Sequence, residues 1–370
     1  MLRIRYFMLP VALLASLLGP LLISEQATAE TDAVICESTT RAEAIAACTR
    51  LISSGTEKGA ALAKIYRNRC AALNRDHQSD RALADCNEAL RLDPGQIAAR
   101  TGRGDSYRML RDFERSIAEY TETIRADPKN IAALWGRCSS LANKNDLDRA
   151  LADCNAAIGI DGKYAPPYAT RCFIMTSKRD FDRAAADCDR AVQLDPRYPL
   201  AYNARGILFR SKRDYDRAIA ELSEAIKLDP KLGNAYNTRG LTYVDKRDYD
   251  RAIADYNELI KVEPKYVHGY GNRCWALYLK KEYDRALRDC DQAIAIDPKL
   301  AFLFVRRGLI WVEQRDFDRP SRPGELPSRP GELHPEPLTD PDLILSHHPA
   351  RATARRLPPS IEHRVPPVAG

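Results

Sequence analysis

Proline recurs along this chain on a comb with 34-residue teeth: Pro94, Pro128, Pro196, Pro230, Pro264 and Pro298, with Gly162 on the one tooth that lacks it. Each breaker follows an apolar–acidic pair, as in Leu92-Asp93-Pro94 and Val262-Glu263-Pro264. Two more columns share the period. One is Arg69, Arg103, Arg137, Arg171, Arg205, Arg239, Arg273 and Arg307; the other is Ala82, Ser116, Ala150, Ala184, Ala218, Ala252 and Ala286. Self-similarity at this period marks a stacked array. One short unit cannot bury its apolar face alone, and its neighbours complete the core.

Within one unit the pattern is helical. Tyr249, Ala252, Ile253, Tyr256, Leu259 and Ile260 recur at helical spacing after Asp248, a good N-cap residue, and Pro264 ends the run. The preceding segment, Ala235 to Arg247, reads as a first helix, so each unit is an antiparallel helix pair.

Counting each unit so that its breaker is position 32, units begin at 63, 97, 131, 165, 199, 233 and 267. Gly206, Phe209, Ala218 and Ala225, and likewise Gly240, Tyr243, Ala252 and Tyr256, fall at positions 8, 11, 20, 24 and 27 as in the tetratricopeptide repeat, which the chain closely resembles from about residue 63 to 319. Leu259, Leu222 and Arg100 depart from the family pattern without breaking the helical period. The resemblance implies an all-α fold, a right-handed superhelical solenoid of antiparallel helix pairs. The organisation expected is a signal peptide at 1–29, an N-terminal helical cap at 30–62, seven repeats at 63–300, a truncated eighth at 301–319 and a disordered Pro-rich tail at 320–370.

Cysteine follows the same register. Cys70 and Cys86, Cys138 and Cys154, Cys172 and Cys188, and Cys274 and Cys290 occupy positions 8 and 24 of four repeats. The other three repeats have cysteine at neither: Gly104 with Tyr120, Gly206 with Leu222, Gly240 with Tyr256. Positions 8 and 24 lie equally far from the hairpin turn, so they stand level, and glycine at position 8 marks close backbone approach. A disulfide needs that approach, with Cα atoms about 4.4–6.8 Å apart. The all-or-none distribution favours four intra-repeat disulfides over buried free thiols. Cys36 and Cys48 pair by exclusion and staple the cap, where Ala44 and Cys48 mimic positions 20 and 24.

Ten cysteines suit an oxidising compartment. The N-terminus agrees: Arg3 and Arg5, an apolar run to Ile23 broken by Pro10, Gly19 and Pro20, then Ala27-Thr28-Ala29, form the three-part layout of a secretory signal with cleavage after Ala29. The expected location is the periplasm or extracellular space, with no membrane span after cleavage.

The arginine column faces an acid in every full repeat, at position 23: Asp85, Glu119, Asp153, Asp187, Glu221, Asp255 and Asp289. The two are level across the hairpin, which predicts internal ion pairs rather than a cationic ladder for an acidic ligand. Net charge is only +6 and the signs are interspersed, so no nucleic-acid surface is expected. There is no G-x-S-x-G, H-E-x-x-H, C-x-x-C or phosphate-binding glycine loop, and neither enzymatic activity nor a cofactor or metal is expected.

The resemblance places a ligand groove on the concave face of the first helices. The candidates there are Arg67, Trp135, Phe173, Asn203, Arg210, Asn234, Asn237, Trp275 and Tyr278. Aromatics and amides with few charges suit an extended peptide or partner protein. For Trp135 and Trp275, packing between adjacent first helices is an equal alternative. The family's Lys/Asn carboxylate clamp is absent. A carbohydrate-binding or cell-wall-associated module is the alternative function.

The eighth repeat opens normally, then Pro320 falls where position 20 calls for alanine, and the seven-residue tandem Pro-Ser-Arg-Pro-Gly-Glu-Leu follows. The abrupt loss of register points to a reading frame damaged near codon 320 rather than to a functional tail.

Overall fold

A computed structural model describes residues 30–38 and 41–314. The signal-like segment 1–29 and the Pro-rich tail lie outside the described residues. Among those described there is no strand. A short helix α1 (30–36) and α2 (Arg41–Ser54) form the cap. Seven helix pairs follow: α3 (Gly59–Arg75) with α4 (Ser79–Leu92), α5 (Ile97–Met109) with α6 (Phe113–Ala126), α7 (Ile131–Asn143) with α8 (Leu147–Ile160), and α9 (Ala165–Ser177) with α10 (Phe181–Leu194). The last three are α11 (Pro199–Ser211) with α12 (Tyr215–Leu228), α13 (Gly233–Asp245) with α14 (Tyr249–Val262), and α15 (Val267–Leu279) with α16 (Tyr283–Ile296). The first helix of the eighth repeat, α17 (Ala301–Glu313), completes the described chain. α3 begins at Gly59, four residues before the boundary expected for the first repeat.

Local chemistry explains the hairpins. Asp112, Asp180, Asp214 and Asp248 each cap a second helix by accepting the backbone N–H of the arginine three residues on. In three of these repeats that arginine also lies over an aromatic of the first helix: Arg115 over Tyr107 at 4.6 Å, Arg217 over Phe209 at 4.5 Å and Arg251 over Tyr243 at 4.6 Å. The Asp-x-x-Arg motif therefore both starts the second helix and seals the hairpin. The turn itself holds one residue in the left-handed region in every repeat: His77, Arg111, Asn145, Arg179, Arg213, Arg247 and Lys281, with φ from 60° to 64°. The first of these turns closes by the Gln78 N–H donating to the Leu73 carbonyl at 2.9 Å, the six-to-one bond that ends a helix in this conformation.

All seven expected ion pairs form, at 2.6–2.8 Å. Each guanidinium also reaches the preceding repeat: Arg171 Nη1 donates to Asn155 at 2.7 Å, Arg239 Nη1 to Ser223 at 2.9 Å, and Arg273 Nη1 to Asn257 at 2.7 Å. The column thus ties helix to helix and repeat to repeat, and its donors face structural partners instead of the groove.

The cysteines stand in five pairs at disulfide distance. Cα–Cα separations are 4.9 Å for Cys36–Cys48, 5.5 Å for Cys70–Cys86, Cys138–Cys154 and Cys274–Cys290, and 5.3 Å for Cys172–Cys188. All ten are buried. Where cysteine is absent, the expected crowding appears. A Cβ added to Gly104 would lie 2.8 Å from the Tyr120 ring, one on Gly206 2.6 Å from Leu222, and one on Gly240 2.6 Å from Tyr256.

First helices contact their successors throughout, α3 with α5, α5 with α7 and onward to α15 with α17, whereas second helices make no comparable contact with one another among the described residues. The first helices therefore form the inner wall and the second helices splay outward. The coil is tight. The turn at His77 meets Asp229, 152 residues on, so one superhelical turn takes between four and five repeats.

Candidate functional site: the inner wall

Side chains on successive first helices meet at a separation of 35 residues, and this spacing builds the wall. Trp135 Nε1 on α7 donates to Thr170 Oγ1 on α9 at 3.1 Å. Arg210 Nε on α11 donates to Asp245 on α13 at 2.7 Å. Asn272 Nδ2 on α15 donates to Asn237 Oδ1 on α13 at 3.0 Å. Arg306 Nη1 on α17 donates to the Gly271 carbonyl at 2.6 Å.

The first part of the wall is aromatic and cationic. Tyr120, fully buried, passes between Gly104 of its own repeat and Gly136 of the next, where an added Cβ would lie 2.3 Å from its ring. Its phenol emerges on the inner side and donates to Asp105 at 2.7 Å. Asp105 also pairs with Arg108 at 3.3 Å, whose guanidinium lies 4.9 Å from the Trp135 ring centroid. Tyr164 meets Trp135 edge-on at 6.3 Å, and burial pushes its phenol up to about 12. Burial likewise raises the Tyr198 phenol. Trp135 is thus a bridge among three repeats, half-buried. Phe173 packs against the Cys138–Cys154 cluster of the third repeat. Arg67 donates to its neighbour Asn68, at 3.1 and 2.6 Å.

The later part is amide-rich. Asn203 is buried with its Oδ1 lacking any hydrogen-bond partner among the described residues. Tyr256, fully buried beneath Gly240, has its phenol in the same state. Desolvation raises that phenol. Trp275 and Tyr278 stack at 5.1 Å and 24°. Arg306 lies 5.4 Å from the Trp275 ring and 4.8 Å from the Phe302 ring. It forms no ion pair among the described residues, and burial pulls its guanidinium down to about 10, so it remains a cation at neutral pH. Of the wall's arginines, Arg108 and Arg210 are matched by aspartates; Arg67 and Arg306 form no ion pair among the described residues.

The structure brings Asn203, Asn237, Trp275 and Tyr278 into one stretch of wall. It places Asn234 elsewhere: its Oδ1 accepts from Arg111 Nη2 at 2.7 Å, a residue 123 positions earlier. Sequence reasoning missed Arg306, Asn272, Arg108 and the two buried tyrosines. The tyrosines had a signal, glycine at position 8 opposite tyrosine at position 24. Arg306 had none, because its isolation depends on what the neighbouring helices present.

The tetratricopeptide repeat family model matches residues 101–165, 177–232 and 237–301. No functionally curated protein matches the chain. Among solved structures, the chain is similar to the Cut9–Hcn1 hetero-tetramer of APC/C, at 17% identity and a TM-score of 0.57 over 76% of this chain. It spans about half, 54%, of that chain's length. It is also similar to a tetratricopeptide repeat protein from Parabacteroides merdae, at 18% identity and a TM-score of 0.48 over 67% of this chain and 98% of that one. With helix pairs in register from the first repeat to the eighth, and the family pattern matched in three long blocks, this chain belongs to the tetratricopeptide repeat family.

Proposed function

We propose that this protein is an exported interaction scaffold that holds an extended peptide segment of a partner protein along its inner wall. The observation that carries the reading is the stretch from Asn203 to Arg306. It combines a buried amide oxygen without a partner, an asparagine pair, a stacked Trp275–Tyr278 platform and a cation without an acid. Peptide backbones offer donors and acceptors to amides at regular intervals, and side chains seat on aromatic faces. The isolated Arg306 favours a ligand with an acidic group near the α15–α17 end. The reading is of a binding protein rather than an enzyme, in keeping with the tetratricopeptide repeat match. Export is supported by the five buried cysteine pairs at disulfide distance together with the signal-like N-terminus, which suits the periplasm or extracellular space.

The stacked Trp275–Tyr278 face is also a surface on which a sugar ring could lie, which keeps the carbohydrate-binding reading as the competitor. Paired peptide and glycan arrays probed with the oxidised protein separate the two. Replacing Trp275 and Tyr278 by alanine should weaken peptide capture at least tenfold, roughly the 1.4 kcal/mol of one modest anchor. A large fall in melting temperature in that variant would assign both rings to packing instead. Non-reducing peptide mapping of protein recovered from the periplasm tests the compartment, and free thiols at three or more of the repeat pairs would count against export.

A further inference from the structure

Two hairpin turns from the start of the solenoid touch the edge of a later coil, in the same register. His77 Nε2 lies 3.1 Å from Asp229 Oδ2, and beside it Lys231 Nζ lies 3.2 Å from Asp76 Oδ1. One repeat further on, Arg111 Nη2 donates to Asn234 at 2.7 Å, its guanidinium covers the Tyr266 ring at 4.1 Å, and its Nε lies 4.0 Å from Glu263. His77 and Arg111 occupy the same left-handed turn position, and Asp229 and Glu263 are both the acid before the repeat proline. Both rungs therefore span 152 residues, as a regular superhelix requires. The next rung would join Asn145 to Asp297. There the turn residue is uncharged, and the two form no hydrogen bond or ion pair among the described residues.

We propose that these two rungs are a salt-sensitive latch that closes the first coil onto the second and must open for a ligand to enter the inner wall from the side. The gating half of the proposal rests on the peptide-groove reading; the latch itself does not. Three facts argue for a latch over permanent packing. The contacts are ionic, polar and cation–π, with carboxylates Asp76, Asp229 and Glu263 facing His77, Lys231 and Arg111, and the Tyr266 ring beneath Arg111. The side chains at these contacts stay partly exposed, 30% for His77 and 54% for Lys231, so salt reaches the Lys231–Asp76 pair. Asn234, which the sequence assigns to the groove, is held by Arg111 at the rung instead, so opening the rung releases it. A polar contact between helix pairs that are each held by their own internal packing can release without disturbing the pairs themselves.

The turn geometry supplies a clean variant. At φ near 61°, glycine is at no steric disadvantage, so Arg111→Gly removes one rung without weakening the turn. Arg213→Gly is the same change at an equivalent turn, where the side chain makes no hydrogen bond or ion pair to another coil among the described residues. Small-angle scattering of the oxidised full chain should show the maximum dimension rising by about a helix diameter, ~10 Å, between 0.05 and 1 M salt. Arg111→Gly with Lys231→Ser should show that expansion already at low salt, Arg213→Gly should not, and the charge swap Asp76→Lys with Lys231→Asp should close the ionic rung again. An unchanged profile in salt and in the double variant would overturn the latch. For whichever labelled peptide the array yields, the association rate should rise at least tenfold in the double variant at low salt. Expansion with an unchanged rate would overturn the gating. If no peptide binds any form, the groove reading and the gating fall together, while scattering still decides the latch.

Discussion

In the fourth repeat the two helices are joined through Cys172 and Cys188, with Cα atoms 5.3 Å apart; in the sixth, the same two positions hold Gly240 and a fully buried Tyr256. The backbone architecture is the same, and the means of holding it differ. The disulfide acts largely on the unfolded chain, by closing a loop of sixteen residues worth about 3 kcal/mol in the chain-entropy picture. The glycine–tyrosine pair acts on the folded state. A ring fills the space a side chain at position 8 would take, and its phenol stays buried. The stapled repeat gains stability that does not touch the groove. Two of the three unstapled repeats bury a phenol instead: Tyr120 donates to Asp105, and the Tyr256 phenol has no partner among the described residues, while the fifth repeat has Leu222. The five cysteine pairs lie in the cap and in repeats 1, 3, 4 and 7, while the fifth and sixth repeats, which carry Asn203 and Asn237, have none.

The largest break in this comparison should come from Tyr256→Ala. It empties a fully buried aromatic site and is expected to cost about 3–5 kcal/mol, read by denaturant unfolding with hydrogen exchange localising the loss to α13 and α14. If the exchange change spreads evenly over all repeats, the sixth does not depend on that ring in particular.

Next in size, replacing Cys172 and Cys188 by alanine should cost about 3 kcal/mol. Adding reductant to the intact protein should lower protection in repeats 1, 3, 4 and 7 while repeats 5 and 6 keep theirs. The converse exchange, Gly240→Cys with Tyr256→Cys, should form a sixth disulfide detectable by non-reducing mapping, since the two positions match those of the stapled repeats.

Smaller again, Gly240→Ala should destabilise by about 1–3 kcal/mol through the 2.6 Å contact with Tyr256. Gly308→Ala, at the equivalent position on α17 with nothing within 4 Å, should be neutral or stabilise by up to about 1 kcal/mol. Equal effects at the two glycines would mean that the contact with position 24 is not what selects glycine.

The smallest effect expected is an acid one. Hydrogen bonds from the arginines three residues on hold Asp180, Asp214 and Asp248 below the ordinary aspartate value of 3.8. Their folded values lie below the unfolded one, so the stabilisation is present above about pH 4 and is lost as pH falls through the folded values. Melting temperature followed from pH 5 to pH 2 should fall in that window, and the fall should shrink in Arg183→Gln with Arg217→Gln.

At the chain's end the comparison takes another form. α17 leaves Val305 and Val312 exposed, at 56% and 44%. The proposed frame damage concerns residues outside those described.

Much of this fold was legible in the sequence because it is local. Positions 8 and 24 face one another across a hairpin whose length hardly varies, so the cysteine pairing, the glycine–tyrosine contacts and the arginine–acid pairs all follow from a separation of sixteen residues and antiparallel helix geometry. The capping aspartates follow from a separation of three. The inner wall depends on the rotation between repeats, which sets the 35-residue meetings of Trp135 with Thr170 and of Arg210 with Asp245. That rotation is a packing outcome that no single repeat encodes. The latch depends on it still more, since a few degrees per repeat, accumulated over four to five repeats, decide whether Arg111 reaches Asn234 or solvent. The sequence by itself therefore determined the helix pairs, their staples and their internal ion pairs. Only the tertiary structure decided which side chains share the groove, because that choice sums small angles over distances that the repeat pattern does not record.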